Sequence, residues 1–261
     1  MLLAILIWLF TIVTTIAFAS RHWWFPPSVS SHGTFLDGQF VVTLVVTGIV
    51  FILAQAGLGW VVFRYRGASR TRAVYSHGNN KLEVLWTSLT AIVFFLMVLP
   101  GQRIWADLYI NRAPANALQI EVTGQQFAWT IRYPGADGRF GTIKPELVND
   151  SSGNPLGLDL DDPAAADDLV LPTMAIPVNR PIELLLRSKD VTHAFSVREL
   201  RIKQDTVPGL LIPLRFTATQ TGSFEIACME LCGLGHHRMR SFIEILTQSE
   251  YEAWLRENAE E

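Results

Sequence analysis

Apolar residues follow two different rhythms along this chain, and the rhythm changes shortly after residue 105. Before that point the runs are long and unbroken. Residues 1–19, MLLAILIWLFTIVTTIAFA, form one run of nearly membrane-spanning length. Phe40 to Phe63 form a second, and Val84 to Pro100 a third that continues through Gln102-Arg-Ile-Trp105. Later the pattern becomes alternating. Leu118-Gln-Ile-Glu-Val and Phe127-Ala-Trp-Thr-Ile-Arg-Tyr133 read as half-buried strands, with Pro134-Gly135 as a turn. Further short strands are expected near 182–187, 193–198, 213–219, 222–228 and 240–246, and many short strands punctuated by Gly and Pro suggest a sandwich or barrel. Ser249-Glu-Tyr-Glu252 has the form of a capping box, predicting a last amphipathic helix from Glu250 to about Asn258.

The chain therefore divides into an apolar helix at 1–20, a transmembrane hairpin at 40–105 and an extracytoplasmic β domain at 112–261, a membrane-anchored α+β architecture. Ala17-Phe-Ala19 has the shape of a signal cleavage site, yet no Lys or Arg precedes the run, so a retained first helix is expected. Arg21 to Gln39, with His22-Trp-Trp-Phe-Pro-Pro, reads as an interfacial linker carrying aromatic anchors.

Charge sharpens this division. The net charge of −3 conceals an asymmetry: residues 64–82 carry Arg64, Arg66, Arg70, Arg72 and Lys81 and no acid, whereas residues from 105 onward hold 14 basic and 22 acidic side chains, a net −8. The positive-inside rule puts 64–82 in the cytoplasm and the C-terminal domain outside, the periplasmic side of a bacterial inner membrane. An acidic outer domain argues against nucleic acid and for a basic protein partner. Asp159, Asp161, Asp162, Asp167 and Asp168 fall in an irregular segment at 150–168, expected as a solvated surface loop, with docking of a basic partner as the alternative.

The chemistry concentrates in Cys228-Met-Glu-Leu-Cys-Gly-Leu-Gly-His-His-Arg-Met239, which holds both cysteines of the chain. Two thiols, an imidazole and a thioether form a soft-ligand set, and the methionine narrows the choice to copper, since copper electron-transfer sites take a weak axial thioether. Two cysteines point to two coppers sharing bridging sulfurs. A Cys228–Cys232 disulfide is the competing reading, but it leaves the histidine and methionine at ligand spacing unexplained. His193, in Ser188-Lys-Asp-Val-Thr-His193, is the candidate second imidazole, although a lone histidine on an apolar strand is more often an ordinary core residue. No CxxCH occurs, which excludes covalently attached haem c.

SxDVxH, KxDxxPG from Lys203 to Gly209 and CxExCGxGHxxM together resemble subunit II of cytochrome c oxidases, the subunit with the dinuclear CuA centre, over residues 40 to 255. The resemblance implies a cupredoxin-like Greek-key barrel. It also implies bridging thiolates from Cys228 and Cys232, terminal imidazoles from His193 and His236, a weak axial ligand from Met239 and another from the Glu230 carbonyl. His237 is a rival to His236, and the family spacing selects His236. The Glu230 carboxylate would in addition reach a magnesium ion at the boundary with subunit I. Glu83, in Leu82-Glu-Val-Leu-Trp-Thr87, matches a stretch whose glutamate lies at the mouth of a proton path; without that match it reads as a helix-start carboxylate. The implied partners are haem-bearing subunit I, other oxidase subunits and cytochrome c as donor, with oxygen reduced in subunit I and protons translocated.

Gly124-Gln-Gln-Phe-Ala-Trp129 resembles the family's aromatic stretch, whose first tryptophan is an electron-entry point in many members; that position is Phe127 here, and Trp129 matches the second. Core aromatics on a strand are the plainer reading of both. Thr90, Arg198 and Leu210 also depart from common family residues. Competing functions are the small subunit of a copper-containing nitric oxide reductase and a membrane-anchored copper-delivery protein.

Overall fold

The computed structural model describes residues 1–20, 25–67, 75 and 77–259. Of the features expected above, His22, Trp23, Trp24, Arg70 and Arg72 lie outside these residues. The chain separates into two compact units, one of residues 1–25 and 35–103, the other of residues 26–34 and 104–261.

The first unit is helical. Helices α1 (Leu2–Ala19), α2 (Gly33–Arg64) and α3 (Asn80–Tyr109) are each long and apolar enough to cross a membrane. Most of their apolar side chains face outward, as a lipid solvent allows. Polar groups do the joining: the Trp8 indole donates to the Ala56 carbonyl at 3.4 Å, and the Gln39 amide to the Met97 carbonyl at 2.6 Å. The α3 start is set by Asn79, whose side-chain oxygen accepts from the Lys81 and Leu82 N–H groups at 3.1 and 3.3 Å. Pro100, expected near the end of the third run, lies inside α3, which continues for nine residues beyond it.

The second unit is built from ten strands: β1 (Leu118–Gln125), β2 (Ala128–Tyr133), β3 (Leu169–Leu171), β4 (Met174–Pro177), β5 (Pro181–Ser188), β6 (His193–Val197), β7 (Ile202–Thr206), β8 (Ile212–Thr217), β9 (Gly222–Cys228) and β10 (Arg240–Leu246). They form two five-stranded sheets, ordered β3-β2-β1-β5-β8 and β4-β10-β9-β6-β7. Both are mixed, because β1 runs parallel to β5 and β4 to β10. This is the cupredoxin-like arrangement, in the form of two half-barrel sheets. One core fills the space between them, with Ile120, Val122, Leu184, Leu186, Phe195, Ile226 and Ile243 all inaccessible to solvent.

Several details differ from the sequence reading. Strands β3, β4 and β7 were not expected; β3 and β4 are three and four residues long, too short for periodicity to register. The segment 26–34, expected as part of a linker, belongs to the β unit. Ser30 forms a bridge with Ala218, Val29 is buried, and the Ser30 hydroxyl donates to the Leu200 carbonyl at 2.7 Å. The acidic segment is also more ordered than a solvated loop. It contains a 3-10 turn (Asp150–Ser152) and a short helix α4 (Pro163–Ala166), and it buries Leu156, Leu158 and Ala165 in a small apolar cluster of its own. Asp168 is drawn wholly inside by Arg132. Helix α5 (Gln248–Ala259) starts two residues earlier than predicted, because the reciprocal box is Thr247–Glu250: the Thr247 N–H donates to the Glu250 carboxylate at 2.9 Å and the Glu250 N–H to the Thr247 hydroxyl at 3.4 Å.

Candidate metal centre

Pairing of β6 with β9 sets Phe195 opposite Cys228, which carries His193 to the end of the second sheet where the β9–β10 loop begins. Backbone hydrogen bonds hold the two ends of that loop together: Cys228 N–H donates to the Met239 carbonyl at 3.2 Å, and Met229 N–H to the Ala194 carbonyl at 3.0 Å. The loop itself is Cys228 to Met239, closed by a 3-10 turn at His236–Arg238.

The donor atoms converge. The Cys228 Sγ lies 3.8 Å from the Cys232 Sγ, 3.9 Å from the His193 Nδ1 and 3.3 Å from the Glu230 carbonyl oxygen. The Cys232 Sγ lies 3.6 Å from the His236 Nδ1 and 3.8 Å from the Met239 Sδ. Cys228, Cys232 and His193 are close enough together to hold one ion. Both cysteines are free thiols, at nearly twice the length of a disulfide bond, about 2.05 Å. His236 is half-buried and its rival His237 exposed, with no contact to the cluster among the described residues.

The electrostatics of the cluster are unbalanced in one direction. Burial first, and then the adjacent Cys228, push the Cys232 thiol up to about 11. Among the described residues no lysine or arginine bonds to any of these donors. A thiolate pair here needs positive charge from a bound cation, and a coordinating thiol is deprotonated outright. Two sulfurs, two imidazole nitrogens, a thioether and a carbonyl fit soft-metal coordination and do not fit magnesium or calcium.

Around the donors lies a bracing layer that sequence reasoning did not assign. The His193 Nε2 is 2.9 Å from the Asp190 carboxylate, which leaves Nδ1 aimed at the sulfurs. The same carboxylate accepts the Gln126 N–H at 2.7 Å, and the Gln126 side chain donates to the Cys232 carbonyl at 2.5 Å. Asp190 and Gln126 thus tie the β1–β2 turn, the β5–β6 loop and the metal loop to one another. Burial opposes ionisation of Asp190, but the bonds from Gln126, His193 and Val191 outweigh it and hold the carboxyl below its ordinary range. The D-x-x-H spacing was visible, but only the fold shows that the two side chains meet.

Phe127 stands in the β1–β2 turn, one residue before β2, and is 38% exposed. Its ring covers the backbone of the metal loop so closely that a Cβ at Gly235 would lie 2.4 Å from it. Trp129 is only 2% exposed and packs edge-on against His193 and Phe195, with ring centroids 6.0 and 5.7 Å away. A Cβ at Gly124 would sit 3.0 Å from both the Trp129 and His193 rings, so glycine makes room for that pair. Glu230 directs its carbonyl to the cluster and its side chain to solvent. Glu83 belongs to the helical unit, exposed in the first turn of α3.

Fold and donors together define a membrane-anchored protein with a copper-type cupredoxin-like domain. The family profile described as Cytochrome C oxidase subunit II, periplasmic domain, matches residues 118–246. Alternative cytochrome c oxidase subunit 2 of Bradyrhizobium diazoefficiens is 36% identical over 258 residues, spanning 98% of this chain and 91% of that protein. Cytochrome c oxidase subunit 2 of Synechocystis sp. is 26% identical over 294 residues, spanning 95% and 79%. The solved periplasmic domain of subunit II of cytochrome oxidase (CoxB) of Bradyrhizobium japonicum is 28% identical, with a TM-score of 0.42 and coverage of 57% of this chain and 98% of that one. The chain belongs to the cytochrome c oxidase subunit II family.

Proposed function

We propose that this chain is the electron-entry subunit of a cytochrome c oxidase, holding a dinuclear copper centre in its outer domain. Cys228, Cys232, His193, His236, Met239 and the Glu230 carbonyl would hold the two coppers, the thiols as thiolates and the thioether and carbonyl as the weaker donors. When bound, such a copper pair supplies a one-electron site whose charge is shared over both metals and both sulfurs, so little reorganisation accompanies transfer. The observation that carries the reading is the convergence of both Sγ atoms, two Nδ1 atoms, a thioether and a carbonyl in one loop closed between β6, β9 and β10.

The chain's own residues do the rest. Asp190 fixes the ring orientation of His193, and Gln126 fixes the loop backbone at Cys232. Trp129 and Phe195 exclude water on the inner side, and Phe127 covers the loop on the outer side. Met229, Leu231 and Leu234 are exposed around the loop, an apolar rim suited to protein docking. The net −8 of residues from 105 onward steers a basic cytochrome c toward the domain. In the assembled oxidase this chain would supply electrons to haem-bearing subunit I, where oxygen would be reduced to water and protons translocated. Glu83, in the first turn of α3, would serve as a proton entry, and the exposed Glu230 carboxylate would be the residue to hold a magnesium ion at the subunit I boundary. The apolar helices α1, α2 and α3 hold the chain in a bacterial inner membrane with the copper domain on the periplasmic side.

Burial of Cys228, Cys232 and Met239 counts against copper delivery, which needs exchangeable ligands. The test is purification of the full chain with its partner subunits. Two coppers per chain, a mixed-valence electron-spin signal and cytochrome c-driven oxygen uptake are expected. One copper per chain would overturn the metal assignment, and nitric oxide reduction without oxygen uptake would overturn the oxidase assignment.

A further inference from the structure

The first strands of the upper sheet have chemistry at both ends. Their C-terminal ends carry Gln126 and Asp190, beside the metal donors. At their N-terminal ends, roughly 20 Å away at about 3.3 Å per residue, lies a cavity of about 560 Å³ lined by Arg112, Arg180, Arg215, Gln119 and Glu183. Nothing in the copper chemistry uses it.

Its charge is the reverse of its surroundings. Three guanidinium groups face one carboxylate there, whereas residues from 105 onward are net −8. The single acid is already engaged: Glu183 accepts the Arg215 Nε at 2.8 Å and the Gln119 amide at 2.8 Å. Arg215 Nη1 remains buried with no hydrogen-bond partner. Arg180 reaches only the Asn116 carbonyl, at 3.4 Å through Nε, and neither it nor Arg112 forms an ion pair among the described residues. Arg112, Arg180 and Arg215 all line this one cavity, and several guanidinium groups together suit a tetrahedral oxyanion, which accepts from several directions.

We propose that this cavity is a binding site for a phosphate group. Its volume exceeds what an inorganic ion needs and falls in the range of small-molecule sites, so it takes phosphate with an attached organic group. Arg112 lies three residues beyond the end of α3 at Tyr109, a helix of membrane-spanning length. Two sources share this chemistry, an anionic phospholipid headgroup and a free phosphate compound. The site is independent of the metal-donor cluster and of the function proposed for it.

The test uses the full chain in lipid nanodiscs, and the variant is Arg112→Gln/Arg180→Gln, because these two side chains are not committed to Glu183. In phosphatidylcholine discs, inorganic phosphate should bind wild type and bind the double variant at least about tenfold more weakly, given the strength of charge-assisted hydrogen bonds. If the headgroup is the source, discs containing phosphatidylglycerol should abolish phosphate binding, and native mass spectrometry should show phosphatidylglycerol retained by wild type and lost from the variant. Phosphate binding that persists in those discs identifies a free phosphate compound instead. Absence of both phosphate binding and phosphatidylglycerol retention overturns the proposal, as does equal binding by wild type and variant. Copper content, unchanged in both proteins, reports that the variant has folded.

Discussion

Two of the polar clusters that the β unit buries are built on opposite plans. Around Arg132 the charges balance. Its guanidinium bonds Asp168 through Nε at 2.9 Å, Glu121 through Nη1 at 3.2 Å and the Gly141 carbonyl through Nη2, while Arg187 reaches Glu121 at 2.5 Å. Two cations meet two anions, and although burial pushes the Glu121 carboxyl up, Arg187 and Arg132 pull it the other way. At the cysteine loop the converging side chains are all donors of electron pairs, and among the described residues no lysine or arginine bonds to them. The first cluster balances its charges from within the protein and ties the acidic segment to β1 and β2. The second is complete only with a cation. The difference teaches how a structural polar cluster is told from a metal site: by which charge the protein leaves out.

Substitutions can break this contrast from either side. The largest effect is expected at the cysteines: Cys228→Ser or Cys232→Ser should abolish the two-copper centre, read as loss of metal stoichiometry and of the mixed-valence signal, while the apo domain keeps its far-ultraviolet dichroism. Retention of both coppers would show that the thiols do not bridge. Next in size is Arg132→Met, which takes from buried Asp168 its cation and leaves Glu121 with Arg187 alone. It should destabilise the domain by about 3–5 kcal/mol, measured by denaturant unfolding, with the remaining folded protein still loading two coppers. A loss of copper without a loss of stability would erase the distinction between the clusters. Smaller again is Asp190→Asn, which keeps the shape but weakens the hold on His193; copper affinity should fall about 10–100-fold with stability nearly unchanged. The smallest effect belongs to Phe127→Leu. Cytochrome c binding should weaken a few-fold, by about 1 kcal/mol for one edge aromatic, and electron transfer at saturating cytochrome should stay near normal. Stopped-flow rates across cytochrome concentration separate the two, and a large loss of the saturated rate would make Phe127 part of the electron path.

Much of the architecture was legible because it rests on local repetition. The three apolar runs became α1, α2 and α3, and the alternating segments became β1, β2, β5, β6, β8, β9 and β10. What escaped notice lacked a local signal. Val29 and Ser30 sit among Pro and Ser residues that look like linker, and they acquire structure only from Ala218 and Leu200, far along the chain. The acidic segment looked solvated because its six aspartates outweigh its few apolar residues; pairing with Arg132 and the cluster of Leu156, Leu158 and Ala165 reversed that. The C-terminal capping box was displaced by two residues, since Thr247 and Ser249 are chemically equivalent candidates and only the path of the chain leaving β10 selects between them.

The amino-acid order by itself determined which atoms can bind metal: spacing within Cys228 to Met239 brings two thiols, an imidazole and a thioether into one loop, because twelve consecutive residues cannot stray far from each other. It also determined the division between membrane helices and β domain, through periods of hydrophobicity that any stretch expresses locally. Tertiary structure alone decided the rest. His193 lies 35 residues before Cys228 and reaches it only through the β6–β9 pairing. Asp190, Gln126 and Phe127 brace the loop only because parallel β1 and β5 end side by side. Arg112, Arg180 and Arg215 share a cavity only because the opposite ends of those strands do the same. Contacts between distant segments cost chain entropy that local spacing does not reveal, and it is the burial of the common core between the two sheets that offsets it.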